Sequence, residues 1–260
     1  MNFKSLRQFL CVLLTLGASL AIGSVFSLSA AAATDVVIQA TPDGGVQPRI
    51  TVDNDGNIHL LYFKKRLRSP EAREGNLYYR QYSPEQKRFS LPVRVSSQAF
   101  NMPTFSIGRA SVAIDGEGRI HALWYLPRQA EYIYTRSNIE RTQFEPQRSM
   151  VTEFREGIDA TADVAAHGNQ VAIVWGAGDL SREDERTVFA RLSEDSGASF
   201  GPEMSVGNPD LGACACCSLA TDFVNSDIDE VSDLLVAYRS AIDGIGRHMQ
   251  LLTLDLVRGV

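Results

Sequence analysis

A repeated strand pattern restricts what this chain can fold into. The skeleton Asp-x-x-Gly-x-Ile-His-x-Leu-aromatic occurs twice, from Asp53 to Tyr62 and from Asp115 to Trp124. Two shorter copies end at Trp175 and Tyr238. Four units of about 50–60 residues therefore fill the chain, a period typical of repeat architectures.

The sequence pattern of each unit predicts short strands and no helix. The strand-like segments are rich in β-branched and aromatic residues and are separated by Gly, Asp, Asn and Pro, which favours antiparallel sheets. In the second unit they are Ala110–Ile114, Ile120–Tyr125, Tyr132–Ser137 and Phe144–Val151. We therefore expect an all-β protein, a β-propeller of four-stranded antiparallel blades with four blades present.

The N-terminus has the pattern of a secretory signal peptide. A basic start is followed by an apolar run and by small residues, with Ala31 and Ala33 before an expected cleavage site at Thr34. A retained membrane anchor is the alternative, because the apolar run approaches the length that spans a bilayer. We expect residues 1–33 to be removed and residues 34–260 to form an exported propeller domain, periplasmic or secreted, that makes no membrane contact.

The charge balance argues against a nucleic-acid partner. The chain has 31 Asp and Glu residues against 25 Lys and Arg, for a formal net charge of −6. Proteins that bind nucleic acid usually present a basic field. The expected partners are glycans or extracytoplasmic proteins.

A local motif in the third unit sharpens the fold prediction. Ser193, Asp195, Gly197 and Phe200 fit Ser-x-Asp-x-Gly-x-x-aromatic, the Asp-box. A carboxylate and a hydroxyl can satisfy the backbone of such a turn, and Gly permits a positive dihedral angle. Over about residues 46–256 the chain resembles the sialidase-like BNR-repeat (Asp-box) β-propeller superfamily. In that family the Asp-box is a structural turn away from the active centre.

The resemblance leaves the number of blades open. Members of the superfamily are mostly six-bladed, so four units fit either a closed four-bladed ring or a truncated six-bladed propeller. The fourth unit has one more strand after Arg239, about Met249 to Leu256. Asp35–Ala40 is strand-like and would close a ring of four as the outer strand of the last blade. Closure matters because an unpaired strand edge exposes backbone groups.

The resemblance also frames the function. The first hypothesis is a glycan- or partner-binding module without catalysis. The alternative is an exo-sialidase-type glycoside hydrolase acting on carboxylated sugars. Its candidate residues are Arg49, Arg109 and Arg239, which would hold the carboxylate, and Tyr238. No metal or cofactor is expected at this site, and the oligomeric state stays open.

Two further sets of residues attract attention. His59 and His121 recur in register, which favours a shared packing role over ligand binding. Cys214, Cys216 and Cys217 form a cluster in which three thiols cannot all pair within one chain. The favoured arrangement is a structural disulfide, Cys214–Cys217, that leaves Cys216 buried or free. A metal site and a redox-active thiol are the alternatives.

Overall fold

The regular structure of the protein is built from strands. The computed structural model describes residues 38–67, 73–102, 108–159, 161–225, 232–243 and 245–256, so the predicted signal segment lies outside it. Three short 3-10 turns accompany the strands, at Pro42–Gly44, Glu183–Glu185 and Pro209–Leu211. Across these described ranges, no helix is long and apolar enough to cross a membrane.

The first blade is an antiparallel sheet with a broken outer edge. Its three long strands are β1 (Val46–Val52), β2 (Ile58–Lys65) and β3 (Glu74–Ser83). Three two-residue strands all pair with β3: β4 (Arg88–Phe89), β5 (Val93–Arg94) and β6 (Phe100–Asn101). Pro92, which has no N–H to donate, separates the first two of these short strands.

The four strands predicted for the second blade are confirmed. They are β7 (Ser111–Ile114), β8 (Ile120–Leu126), β9 (Glu131–Arg136) and β10 (Arg148–Ser149), in that order across the sheet. The fourth is shorter than the predicted Phe144–Val151. Phe144 makes only an isolated bridge with Ser137. Pro146 follows two residues later and offers no N–H to extend the pairing.

The third and fourth blades repeat the pattern. The third contains β11 (Asp163–His167), β12 (Gln170–Ala177), β13 (Thr187–Ser193) and β14 (Met204–Ser205), and the fourth contains β15 (Ala220–Asn225), β16 (Ser232–Arg239) and β17 (Met249–Leu254). The outer strand expected from Asp35–Ala40 is not found at Ile38–Ala40, which form no strand. Ile38 is 93% exposed, so no apolar burial holds it; residues 35–37 lie outside the described ranges.

Four successive blades enclose three hydrophobic cores. Strand β7 lies between β1 and β11, and β11 lies between β7 and β15, so the first strand of each blade is innermost. One core lies between each blade and the next. Trp124, Trp175 and Tyr238, the repeated aromatics of blades 2, 3 and 4, each pack in the core shared with the preceding blade.

The repeated aromatic of blade 1 is buried in a different way. Tyr62 is fully buried, yet it lies outside the three cores. Its hydroxyl donates to Asp43, and Arg80 pairs with the same carboxylate at 2.9 Å. Gly45 lies so close that a Cβ there would fall 2.3 Å from the Tyr62 ring. The turn at residues 41–45 therefore covers this residue in the place of a neighbouring blade.

Candidate functional site

The inner strands of all four blades line one central cavity. Its volume is about 790 Å³, and its wall is formed by β1, β7, β11 and β15 together with the turns that follow the first three of these strands. Its acidic side chains outnumber its basic ones: Asp53, Asp55, Asp115, Glu117, Asp163 and Asp222 against Arg49 and Arg141. The cavity is therefore polar and predominantly acidic.

Asp163 is the point where the four blades meet. Its Oδ1 atom accepts a hydrogen bond from the Ser111 hydroxyl of blade 2, and its Oδ2 atom accepts the Thr221 backbone N–H of blade 4 at 2.9 Å. Arg49 of blade 1 lies 3.9 Å from Oδ1. A carboxylate with these partners is firmly held at the wall of the cavity.

Burial determines the protonation of this carboxyl group. Asp163 is 6% exposed, and its loss of hydration raises its pKa. Hydrogen bonds from Ser111 and Thr221 oppose that effect but do not cancel it. A carboxyl group with a raised pKa carries its proton at higher pH than an ordinary aspartate and can then donate a hydrogen bond.

The site was missed by motif searching, although the repeat contains a signal for it. Arg49, Ser111 and Asp163 pair across the sheet with Leu61, Leu123 and Val174, each of which directly precedes the repeated aromatic of its blade. The three polar residues therefore occupy one equivalent position of the repeat. Aligning the units on the aromatics would have placed Arg49 and Ser111 together, and Asp163 joins them once the turn of the third unit, shorter by one residue, is allowed for.

The structure brings one of the four sequence-predicted catalytic candidates to the cavity. Arg49 lines it, and its side chain is 45% exposed. Arg109 is exposed just before β7, and Arg239 is exposed at the end of β16; neither lines the cavity. Tyr238 is buried in the core between blades 3 and 4, where burial raises its pKa.

His59 and His121 have the shared packing role that their register indicated. Both are fully buried. The Nε2 atom of His59 lies 3.0 Å from Asp53, and that of His121 lies 3.2 Å from Asp115. In each case Nδ1 hydrogen-bonds a tyrosine hydroxyl, that of Tyr79 or Tyr134.

These Asp–His–Tyr chains connect the turn after the inner strand to the body of the blade. The Asp115 carboxylate also accepts the backbone N–H groups of Glu117 and Arg119, both at 2.9 Å. Burial lowers the pKa of His121 despite the nearby carboxylate. The imidazole is therefore neutral at physiological pH, which suits a structural hydrogen bond.

The Asp-box segment forms a tight turn after β13. The Ser193 hydroxyl donates to Asp195 at 2.8 Å and accepts the Gly197 N–H at 2.9 Å. Gly197 has a φ of +75°, which favours glycine. Phe200 packs edge-to-face on Tyr134 of blade 2. The turn therefore links blade 3 to blade 2.

The cysteine cluster lies at the start of blade 4. Cys214 and Cys217 form a disulfide, as the favoured arrangement predicted, and Cys216 is free and exposed. The Cys214 N–H donates to the Arg239 carbonyl at 2.9 Å, and the Leu219 N–H donates to the Thr161 carbonyl at 3.0 Å. The cysteine loop, residues 214–219, is thus fixed near the end of the inner strands at which Asp163 lies.

Comparison with known proteins gives a likeness of fold. No family model matches the sequence, and no curated protein matches it. Among solved structures, NanB with Optactamide, a sialidase, superposes with a TM-score of 0.55 at 9% identity, over 83% of this chain and 47% of that one. A protein of unknown function from Dyadobacter fermentans gives 0.52 at 17% identity, over 78% and 51%.

A third likeness is looser. Xylan beta-1,4-xylosidase from Bacillus halodurans superposes with a TM-score of 0.45 at 14% identity, over 83% of this chain and 42% of that one. The chain spans about half the length of NanB and of the Dyadobacter protein. The two closer likenesses agree with the propeller fold that the four sheets define.

Proposed function

We propose that this protein is an exported glycan-binding β-propeller that takes a carbohydrate in its central cavity. The observation that carries the proposal is the placement of Asp163, a buried carboxyl group oriented by three blades at the wall of a polar cavity. The cavity volume of about 790 Å³ falls within the usual range for small-ligand sites, about 300–1,000 Å³.

The chemistry of the wall suits a neutral sugar. A carboxyl oxygen and a guanidinium side by side, Asp163 and Arg49, offer an acceptor and a donor to neighbouring hydroxyl groups. Acidic side chains outnumber basic ones in the lining, so the cavity disfavours a ligand that carries a negative charge. A ligand with many hydroxyls and no carboxylate therefore matches the wall better than an anionic one.

Two further proposals set this function in context. We place the chain in the BNR-repeat Asp-box superfamily, because the contacts of Ser193, Asp195 and Gly197 form the turn that the motif describes. We place the protein outside the cytoplasm, because the sequence begins with a signal-peptide pattern and the Cys214–Cys217 disulfide suits an oxidising compartment.

Binding to a panel of neutral and acidic oligosaccharides tests the function, with calorimetry of the full-length protein as the measurement. Asp163→Asn replaces the carboxyl group that Ser111 and Thr221 hold in place by an amide, so we expect affinity for the bound sugar to fall about 3-fold to 10-fold, the net worth of about one hydrogen bond. Asp55→Asn, the same change at an exposed cavity residue, should leave affinity unchanged. An undiminished affinity in Asp163→Asn would overturn the proposal, as would a panel in which nothing binds.

A hydrolase of exo-sialidase type is the second candidate. The direction of the pKa shift of Asp163 agrees with it, because burial lets this carboxyl group keep its proton to higher pH than an ordinary aspartate, as a general acid requires. Arg49 stands in the cavity as one carboxylate-binding group. Turnover of a fluorogenic sialoside that is lost in Arg49→Ala and kept in Arg239→Ala, whose residue does not line the cavity, would support this candidate. A wild-type protein that releases no fluorophore from sialosides contradicts it.

A further inference from the structure

Three sulfur atoms lie together at the edge of blade 4. The Sγ atoms of Cys214, Cys216 and Cys217 are all within 4.8 Å of one another. Cys214 and Cys217 are joined as a disulfide, and the free thiol of Cys216 lies 3.7 Å from the Cys214 sulfur. A free thiol beside a disulfide sulfur is the starting arrangement for thiol–disulfide exchange.

The backbone around the sulfurs is held on both sides. The Cys214 N–H donates to Arg239 O at 2.9 Å, and the Ala215 N–H donates to the Glu183 carboxylate at 2.7 Å. The same carboxylate pairs with Arg247. These contacts fix the loop, while the exposed side chain of Cys216 has access to solvent.

A positive charge stands beside the sulfur that would leave. The Nη1 atom of Arg239 lies 3.8 Å from Cys217 Sγ. A guanidinium so close stabilises a thiolate, and a stabilised thiolate is the better leaving group in exchange. Cys216, Cys214 and Cys217 therefore supply the nucleophile, the sulfur under attack and the leaving group, in that order.

We propose that this cluster is a thiol–disulfide exchange site. The Cys216 thiolate attacks Cys214 Sγ, the Cys214–Cys216 bond forms, and the Cys214–Cys217 bond breaks with its electron pair going to Cys217. The proton that Cys216 gives up to solvent is matched by one that Cys217 can take back. One disulfide and one thiol are present before and after, so no outside oxidant or reductant is needed.

Exchange transfers the free thiol from Cys216 to Cys217. At Cys216 the thiol is exposed and open to small thiol-reactive molecules, and at Cys217 it lies half-buried against Arg239. The site is thus a place of reversible modification by low-molecular-mass disulfides. Attack of the Cys216 thiolate on such a molecule would release one of its thiols and leave a mixed disulfide on Cys216.

Alkylation of the full-length protein without reductant tests the exchange. Iodoacetamide labelling followed by peptide mapping should find label on both Cys216 and Cys217, and the Cys217 share should grow with incubation time. Arg239→Ala should lower that share several-fold, whereas Arg239→Lys, which keeps the charge, should restore most of it. Cys216→Ser is the matched control and should leave the cluster unlabelled.

A second variant tests the same step without relying on access to Cys217. In Cys217→Ser the two remaining sulfurs should form the Cys214–Cys216 bond in air, seen as the loss of two thiol hydrogens in the intact mass and as the absence of label on either cysteine. Two alkylatable thiols in this variant, together with wild-type label confined to Cys216, would overturn the proposal.

Discussion

Asp195 stabilises the turn of blade 3 with both of its carboxylate oxygens. Oδ1 accepts the Ser193 hydroxyl and the Ser199 N–H, each at 2.8 Å, and Oδ2 accepts the Ser199 hydroxyl at 2.5 Å. The hydrogen bonds from Ser199 are the main reason that the pKa of Asp195 falls to about 2. The ionised form is therefore the one that the folded turn requires.

Replacing Asp195 should weaken the fold and change its acid sensitivity. Because the folded pKa lies below the ordinary value of 3.8, this carboxylate stabilises the protein above pH 3.8 and stops doing so as pH falls toward about 2. Asp195→Asn should cost about 1–2 kcal/mol of unfolding free energy at pH 7, the worth of one or two hydrogen bonds. It should also flatten the stability curve in that acid window.

Urea unfolding between pH 2 and 7 measures both effects. Glu194→Gln is the control, because it removes a neighbouring exposed carboxylate at the same turn. Equal pH curves for Asp195→Asn and the wild-type protein would show that the hydrogen bonds of the turn do not set its stability.

The distance between partners along the chain explains which residues could be predicted from sequence. The partners of Asp195 are two and four residues away, so the pattern of one short window contains the whole interaction. The partners of Asp163 are 52 and 58 residues away, in two other blades. Only the arrangement of the blades brings them together, and no short motif records it.

At the scale of the element, β10 connects blade 2 to blade 3. Arg148 of this strand donates to Ala198 O at 2.7 Å and to Gly197 O, both in the Asp-box turn of blade 3. Its guanidinium also lies over the rings of Tyr134 and Phe200, 5.2 and 5.6 Å from their centroids. One side chain thus joins a strand edge to the neighbouring blade.

Truncation of the Arg148 side chain should weaken the contact between blades 2 and 3. We expect Arg148→Ala to lower the unfolding free energy by about 1–3 kcal/mol, from lost hydrogen bonds and the lost cation–π contact. Thermal and chemical denaturation measure the change. Arg94→Ala is the control, because Arg94 is an exposed arginine in the short outer strand β5 of blade 1, whereas Arg148 lies in the short outer strand β10 of blade 2. Equal losses in the two variants would contradict a joint specific to Arg148.

The strands were more predictable than their outer ends. Dense β-branched and aromatic residues around Gly-rich turns identified β7, β8 and β9 within one or two residues. The outer strands are short, and prolines and turns break them, so Phe144–Val151 became the two residues of β10. Apolar character alone also overestimated the stretch beginning at Asp35, of which Ile38–Ala40 form no strand.

At the scale of the whole molecule, the first and last blades carry exposed apolar groups, on the cavity-lining strand β1 of blade 1 and on the outer strand β17 of blade 4. On β17 of blade 4, Met249 is 70% and Leu251 is 67% exposed, and on β1 of blade 1, Ile50 is 57% and Val52 is 55% exposed. Each of the three cores within the described residues lies between consecutive blades. Exposed apolar groups on a strand edge favour association with another surface.

Self-association through the last blade is the expected consequence. The full-length protein should show a weight-average mass that rises with concentration in sedimentation experiments, because burying these side chains in an interface removes apolar area from water. The double variant Met249→Lys and Leu251→Lys should reduce that rise. Leu91→Lys, at an apolar position between β4 and β5 that is 85% exposed, should leave it unchanged. A wild-type mass that stays monomeric at every concentration rules this out.

Backbone hydrogen bonds are dense within each blade and sparse between blades. Blades 2 and 3 share the bond from Gly116 N to Gly168 O, and blades 3 and 4 share the bond from Leu219 N to Thr161 O. We therefore expect that when one blade opens locally its neighbours keep their own strand ladders, while the core that it shares with them is lost. A ligand in the central cavity would touch the inner strands of all four blades at once. Such a ligand would bind only when all four blades are folded together. Its binding would therefore make the unfolding of the four blades more cooperative.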